Sequence, residues 1–191
     1  MDISPASDDT PSDKTLMLAY AGGDTEAFET LYQRHRRGLY RYVLHSCGNE
    51  ADTAEIYQDI WLKVVNGREA YQADAPFTAW LYRIAKNRLV DHYRQRGKID
   101  TEEFDDQQSD ITMIAPALQP DEVARLGEKR EVLQNALDTL PEGQRDVVLQ
   151  RHVAGLSLAE MSKLNGEKTE TVKSRLRYAL VKLRSQLREQ S

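Results

Sequence analysis

Residues 157–188 read SLAEMSKLNGEKTETVKSRLRYALVKLRSQLR and contain two helical patterns separated by a turn. Ser157 stands three residues before Glu160, which is the spacing of a capping box at a helix N-terminus. The first pattern, residues 158–164, stops at Asn165-Gly166, a dipeptide typical of turns, and the second begins near Thr169. A short helix, a tight turn and a longer helix in this order predict a helix-turn-helix.

The longer of these two helices is amphipathic and strongly basic. Its residues 169–188 include six bases and one acid, a local charge of +5. A helix that enters the major groove buries one stripe and presents cations to phosphates and base edges. A solvated basic face is the alternative for such a helix alone, but the capped short helix and turn before it favour DNA binding. The apolar stripe contains Val172, Leu176, Leu180, Leu183 and Leu187.

Charge is distributed unevenly along the chain. The 191 residues carry a net charge of −5, which ordinarily disfavours a nucleic-acid partner. The acid is concentrated in residues 1–13 (−4) and 97–131 (−6), whereas residues 14–96 and 132–191 carry +2 and +3. The segment charges therefore leave two mildly basic regions that could contact nucleic acid.

The hydrophobic pattern predicts an all-α chain of two small helical domains joined by a flexible acidic linker. Residues 1–13 are rich in Ser, Pro and Asp and are expected to form a disordered acidic tail. Helical spacing covers residues 14–96, is lost over 97–120, and resumes over 121–191, which include the helix-turn-helix.

Composition and motifs disfavour secreted proteins, membrane proteins and enzymes. The single cysteine, Cys47, cannot form an intramolecular disulfide, and the N-terminus lacks the features of a signal peptide. The longest apolar or aromatic stretch, Leu16–Ala21, is too short to span a membrane. The scattered histidines and the absence of phosphate-loop, nucleophile-elbow and zinc-protease motifs give no catalytic centre. We therefore expect a soluble cytoplasmic protein with no membrane insertion, catalytic residue, metal or cofactor.

A second constellation, residues 77–94, interleaves aromatic and basic residues at helical spacing. Such a surface suits single-stranded nucleic acid, because aromatic rings stack on bases while cations bind phosphates. Aromatic packing against a neighbouring helix explains the pattern equally well from the residues alone. In a continuous helix the inner positions would be Phe77, Leu81, Ile84, Ala85 and His92. The other side would carry Trp80, Tyr82, Arg83, Lys86, Asn87, Tyr93 and Arg94.

A third constellation, residues 54–64, places one leucine on the polar side of a helix. Leu62 falls opposite the predicted core stripe, among Glu55, Gln58 and Asp59. A single exposed leucine needs no explanation, but a polar ring around it is typical of an anchor for a partner helix. The core stripe contains Ile56, Tyr57, Ile60, Trp61 and Val64.

With these three constellations, residues 14–96 and 121–188 resemble the extracytoplasmic-function (ECF) group of bacterial RNA polymerase sigma factors. The resemblance rests on Glu55-Ile56-Tyr57-Gln58-Asp59, on Phe77-x-x-Trp80-Leu81-Tyr82-Arg83-Ile84-Ala85-x-Asn87, and on a C-terminal set. That set is Leu140-Pro141, Gly155-Leu156-Ser157 and residues 170–176, ETVKSRL.

The resemblance implies a role for each constellation. The helix with Glu55, Gln58, Asp59 and Leu62 would dock on the clamp helices of the polymerase β′ subunit. The second would recognise and open the −10 promoter element, with a short loop at about Asn87–Asp91 that captures a flipped base and interrupts the helix. Its contacts would be Trp80, Tyr82, Arg83, Lys86, Asn87, Asp91, Tyr93 and Arg94. The helix-turn-helix would read the −35 element through Thr169, Thr171, Lys173, Ser174, Arg175 and Arg177.

The resemblance also implies an anti-sigma partner. Glu170 stands where a glycine is common in the family, so base preferences of relatives do not transfer to this chain.

Two rival functions are left to be tested. A stand-alone transcription regulator would bind an operator duplex by itself, and a nucleic-acid enzyme would turn over without polymerase. Neither rival requires the surface around Leu62.

Overall fold

The computed structural model describes residues 10–97, 127 and 131–189, and within those ranges it contains helices and no strand. The N-terminal half consists of α1 (Asp13–Ala21), α2 (Thr25–Cys47), α3 (Glu50–Asn66), a 3-10 turn (Arg68–Ala70) and α4 (Phe77–Arg96). The C-terminal half consists of α5 (helical residues 131–138), α6 (Glu142–His152), α7 (Leu158–Asn165) and α8 (Thr169–Glu189). The predicted all-α class is confirmed.

Local sequence sets the corner between α2 and α3. Gly48 ends α2 with a φ of +77°, a left-handed conformation that glycine adopts without a Cβ clash. Asn49 begins α3, because its side-chain oxygen accepts a hydrogen bond from the Asp52 backbone N–H at 2.9 Å. The two helices therefore reverse direction at Gly48-Asn49.

The N-terminal core lies between α2, α3 and α4. The predicted stripe of α3 is confirmed at Ile56, Ile60 and Val64, which are fully buried. Each such side chain contributes roughly 1.5–3 kcal/mol by leaving water. Trp61 extends the core toward α2, with its ring 4.9 Å from that of Tyr32. This packing fixes α3 so that its opposite face points outward.

The C-terminal half folds as the predicted helix-turn-helix. Ser157 Oγ accepts from the Glu160 N–H at 3.3 Å, while Glu160 Oε2 accepts from the Ser157 N–H at 2.7 Å. The turn after α7 passes through Gly166, with a φ of +66°. The predicted apolar stripe positions α8 against its domain. Val172 and Leu183 of that stripe are buried, and Ala179 beside them is fully buried. The other members of the stripe are half-buried: Leu176, Leu180 and Leu187.

The structure corrects the expected interruption of α4. Residues 77–96 form one continuous helix through Asn87–Asp91. They contain neither glycine nor proline, and Arg88 and Leu89 are buried against the rest of the domain. Both features hold the backbone helical. Residues 1–9 of the predicted tail and 98–120 of the predicted linker lie outside the described residues.

Candidate polymerase- and DNA-binding surfaces

The outward face of α3 carries an exposed leucine among polar side chains. We call Glu55, Gln58, Asp59 and Leu62 the docking face. Leu62 is 57% exposed, although Ile60 and Val64 on the same helix are completely buried. The Glu55 and Asp59 side chains remain 66% and 40% exposed. The arrangement offers an apolar contact bordered by carboxylates to a partner.

A buried arginine of α4 contacts two members of the docking face. Arg88 Nε donates to Asp59 Oδ2 at 2.7 Å, and Arg88 Nη2 donates to Glu55 Oε1 at 2.8 Å. Arg88 is only 8% exposed, so its charge depends on these carboxylates for compensation. The predicted docking residues are therefore brought together by a side chain of the predicted DNA-opening helix.

One turn further along α4, His92 lies against the same side of α3. Its Nε2 atom is 3.3 Å from Asp52 Oδ2, and Asn49 Nδ2 donates to that carboxylate oxygen at 2.7 Å. His92 is buried, as predicted for the inner face of α4. The two helices are thus in polar contact at Asp52, Glu55 and Asp59.

The opposite side of α4 places most of the predicted −10 contacts at the surface. The exposed members are Arg83, Asn87, Asp91, Tyr93 and Arg94, whereas Trp80 and Lys86 are half-buried. Trp80 packs edge-on against Tyr71, with ring centroids 5.3 Å apart. The Tyr93 hydroxyl donates to the Ser46 carbonyl, and burial raises its pKa to about 12.

Tyr82 differs from the prediction that it lies on the open side of α4. It is 2% exposed, and its ring meets that of Tyr42 edge-on at 5.0 Å. Burial raises the pKa of its hydroxyl well above the ordinary value. The reason is that α2 covers this side of α4 at Tyr42 and at Gly38, where an added Cβ would lie 3.3 Å from the Tyr82 hydroxyl oxygen, so the buried sector is wider than one stripe. In this conformation Tyr82 is not accessible to a base.

The helix-turn-helix packs directly on α4. Lys86 Nζ donates to Asn165 Oδ1 at the end of α7 and lies 3.9 Å from Asp146 Oδ2 of α6. Asn165 is held by a reciprocal amide pair with Gln150, both hydrogen bonds being 3.0 Å. Burial raises the pKa of Asp146, while the Lys86 charge opposes that shift. One predicted DNA contact, Lys86, is therefore occupied by the other half of the chain.

The N-terminal part of α8 presents most of its predicted groove contacts to solvent. Thr169, Thr171, Lys173 and Arg177 are exposed, and Ser174 is half-buried. Lys173 Nζ lies 3.8 Å from Glu170 Oε1, and both side chains are largely exposed. An ion pair of this kind contributes little, so the lysine is available to a phosphate.

Arg175 has a different environment from the other bases of α8. Its Nη1 and Nη2 atoms donate to Glu167 Oε2 and Oε1 at 2.8 and 2.7 Å. Such a bidentate pair is strong and directional. It links α8 to the turn that precedes it, although the side chain also lines the same shallow concavity as Thr171 and Ser174.

The described residues contain neither a metal-binding cluster nor a membrane-spanning helix. In residues 10–97, 127 and 131–189, no cluster of three or more His, Cys, Asp or Glu side chains is arranged to hold a metal ion. Over the same part of the chain, each helix is too short or too polar to cross a membrane.

Comparisons with known proteins identify the family. The family models described as Sigma-70 region 2 and Sigma-70 region 4 match residues 31–99 and 136–185. The ECF RNA polymerase sigma factor SigM of Mycobacterium tuberculosis is 31% identical over 172 residues, which cover 90% of this chain and 83% of SigM. This chain belongs to the ECF sigma factors. SigW of Bacillus subtilis, another ECF sigma factor, is 25% identical and covers 87% of the chain.

Two solved structures share the fold. CnrH, in complex with the cytosolic domain of CnrY, superposes with a TM-score of 0.69 at 26% identity and covers 95% of this chain and 100% of CnrH. RpoE of Bartonella quintana, in complex with the anti-sigma factor NepR, has a TM-score of 0.68. At 18% identity over 84% of this chain and 96% of RpoE, that likeness shows the fold alone.

Sequence reasoning missed two notable side chains of this sigma factor. Arg88 falls at the inner spacing set by Ala85 and His92, and that periodicity could have predicted its burial. Tyr178 is exposed on α8 and lines the same shallow concavity as Thr171 and Ser174. The ring of Tyr178 carries the Arg177 guanidinium at 5.0 Å. Its position, one turn beyond Ser174, could have included it among the groove contacts.

Proposed function

We propose that this ECF sigma factor binds core RNA polymerase through the docking face, opens the −10 element with α4 and reads the −35 element with α8. In this scheme residues 14–96 form the polymerase and −10 domain, 97–120 the linker and 121–191 the −35 domain. The polymerase performs the chemistry, so the sigma factor itself is not an enzyme and acts in the cytoplasm with the polymerase.

The docking assignment rests on the exposure of Leu62. Leu62 is 57% exposed on a helix whose opposite face is buried, so much of its surface is open to another protein. Apolar residues ringed by polar groups are typical of the centre of a protein interface. The β′ clamp helices of core polymerase are the partner that the family implies.

The DNA assignments rest on exposed cations and aromatic rings. On α4, Arg83 and Arg94 can bind phosphates while Tyr93 offers a ring face for stacking. On α8, Thr171 and Lys173 face solvent at the start of a helix whose other side is anchored by Val172. A recognition helix contacts base edges through the residues near its N-terminus.

A protein inhibitor is also proposed. The structural relative CnrH was solved in complex with the cytosolic domain of CnrY. We infer that this sigma factor is likewise held by an anti-sigma partner until its promoters are needed.

The decisive experiment is run-off transcription from genomic fragments with purified core polymerase, with and without the full chain. We expect promoter-specific transcripts only when both are present. Leu62→Asp is expected to abolish core binding in a pull-down while circular dichroism stays unchanged. Leu18→Asp is the matched control, because Leu18 is an exposed leucine of α1 outside the docking face.

Two outcomes would contradict the proposal. Core binding by a folded Leu62→Asp variant equal to that of the unmutated chain would remove the docking assignment. Specific binding of an operator duplex without polymerase, together with no transcripts when polymerase is added, would instead support a stand-alone regulator.

A further inference from the structure

Arg88 is a buried cation placed between the docking helix and the DNA-opening helix. Of its guanidinium nitrogens, Nε binds one carboxylate of α3 and Nη2 binds the other. Among the described residues these are the contacts of the two carboxylates, one oxygen each, and Glu55 and Asp59 stay 66% and 40% exposed. The second oxygen of each can therefore accept a hydrogen bond from a partner protein.

The spacing of the groups shows that this contact belongs to a continuous seam. Asp52, Glu55 and Asp59 recur three and four residues apart on α3, while Arg88 and His92 are four apart on α4. Residues at these spacings share one face of a helix. The acidic row of α3 thus faces Arg88 and His92 of α4. Arg88 binds Asp59 and Glu55 at 2.7 and 2.8 Å, whereas His92 Nε2 lies 3.3 Å from Asp52 Oδ2 without forming a hydrogen bond.

We propose that Arg88 is a positioning residue, which orients the Glu55 and Asp59 carboxylates for polymerase and ties the docked α3 to the α4 surface that holds DNA. The proposal rests on the proposed function of the docking face. Arg88 itself does not touch the polymerase, because it lies beneath the carboxylates that do.

The planar guanidinium is suited to this task because its donors have fixed relative directions. A carboxylate on a solvent-exposed helix normally samples several rotamers, and ordering it on binding costs entropy. By holding both carboxylates before the partner arrives, Arg88 removes part of that cost. A lysine keeps the charge but has one nitrogen, which does not reproduce the two separate directions.

The same contact transmits position from α3 to α4. Asn87 is the residue before Arg88 and points to the exposed side, among the proposed −10 contacts. Once α3 is fixed on the polymerase, the Arg88 contact holds this part of α4 at a defined distance from the docking face. Loss of the contact is therefore expected to impair DNA opening even when core binding is saturated.

The test uses full-length Arg88→Met and Arg88→Lys, with Arg37→Met as the matched control because Arg37 is exposed on α2 and outside the proposed surfaces. Core affinity is measured by fluorescence anisotropy, and opening by permanganate reactivity of −10 thymines at saturating holoenzyme. We expect Arg88→Met to bind core about tenfold more weakly, Arg88→Lys to be intermediate, and Arg37→Met to be unchanged. Both Arg88 variants are expected to open promoters less at saturation.

A double-mutant cycle separates positioning from general destabilisation. On a Glu55→Gln/Asp59→Asn background, Arg88→Met is expected to cause no further loss of core affinity, whereas a merely structural effect would add to the loss. Wild-type core affinity in folded Arg88→Met, or full additivity in the cycle, would overturn the inference. If Leu62→Asp also leaves core binding unchanged, the docking proposal fails first, so the two failures are distinguishable.

Discussion

Lys173 and Arg175 are two residues apart on α8, yet they differ in exposure and in their ion-pair partners. The Lys173 side chain is 63% exposed, whereas Arg175 is 31% exposed and bound through both terminal nitrogens to Glu167. Both were predicted from the sequence as groove contacts, and this difference can be measured.

Replacing Lys173 by alanine removes one exposed cation from the proposed −35 surface. We expect promoter affinity of the holoenzyme to fall several-fold and the slope of log affinity against log salt to decrease by about 1. Filter binding at a series of salt concentrations gives both quantities. Lys14→Ala, an exposed lysine of α1, should leave them unaltered; an equal effect from the two variants would remove Lys173 from the interface.

Arg175→Met is expected to act on stability instead. It leaves Glu167 without its bidentate partner, so the free energy of unfolding should fall by about 1–2 kcal/mol. Chemical denaturation followed by circular dichroism measures that loss. The salt slope of promoter binding is expected to stay as in the unmutated protein. A decrease in the slope without any loss of stability would return Arg175 to the phosphate contacts.

At the residue scale, the sequence predicted which side chains are buried better than it predicted their contact partners. The buried positions Phe77, Leu81 and Ala85 followed from periodicity, since spacing alone decides which side of a helix faces its domain. Tyr82 was misplaced because α2 covers it, and one helix wheel contains no information about where a neighbouring helix packs. Arg88 was missed because its partners Glu55 and Asp59 are 33 and 29 residues away, so no local spacing pairs it with them.

Among the elements, α7 shows how a short helix is defined by its ends. Eight residues are few for a helix in water. The reciprocal Ser157–Glu160 bonds satisfy donors at its start, and Gly166 provides the left-handed residue at its end. These signals are local, which is why the sequence located α7 closely. The periodicity of residues 77–94 also fitted the continuous α4 that the structure has, and the expected interruption came only from the family resemblance.

Ser157→Ala removes half of this capping box. The expected loss of unfolding free energy is about 1 kcal/mol, because the Glu160 N–H loses its acceptor. Glu160→Gln is the conservative comparison: its amide oxygen can still accept from the Ser157 N–H, so a smaller loss is expected. Thermal and urea denaturation measure both variants. A Ser157→Ala protein as stable as the unmutated chain would contradict the role of the cap.

The whole molecule is shaped by contacts that no local pattern reveals. Lys86 and Asn165 are 79 residues apart in sequence, and His45 and Gln134, whose side chains hydrogen-bond at 2.8 Å, are 89 apart. The two domains could be predicted from periodicity and charge. The packing of the two domains against each other could not be predicted, because it depends on the shape and polarity of both folded surfaces.

Asp146 makes this packing dependent on pH. Burial raises its pKa above the ordinary value of 3.8, so the protonated form is favoured in the packed structure. The contribution of the protonated Asp146 carboxyl to the free energy of unfolding is fully present below its ordinary pKa. It is lost as pH rises through the raised pKa of the folded chain. Asp146→Asn is expected to raise the melting temperature at pH 7 relative to the unmutated chain, and to flatten its dependence on pH from about 4 upward.

Differential scanning fluorimetry from pH 4 to 7 measures that prediction. Glu142→Gln is the comparison, because Glu142 is exposed on the same helix and only adds to the Asp146 shift by its charge. If Asp146→Asn melts at the same temperature as the unmutated chain at every pH, the buried carboxylate does not control the packing.

The contact between Lys86 of α4 and Asn165 of α7 is expected to influence how this protein behaves when it is not bound to polymerase. If Lys86 contributes to single-strand binding as proposed, the affinity that it adds is present only in the fraction of molecules in which α7 has moved off it. Molecules without polymerase are therefore expected to bind more weakly to the unwound DNA of replication forks and repair gaps. Part of the selectivity against the wrong DNA would then come from the occupied lysine and not from any base that the protein reads.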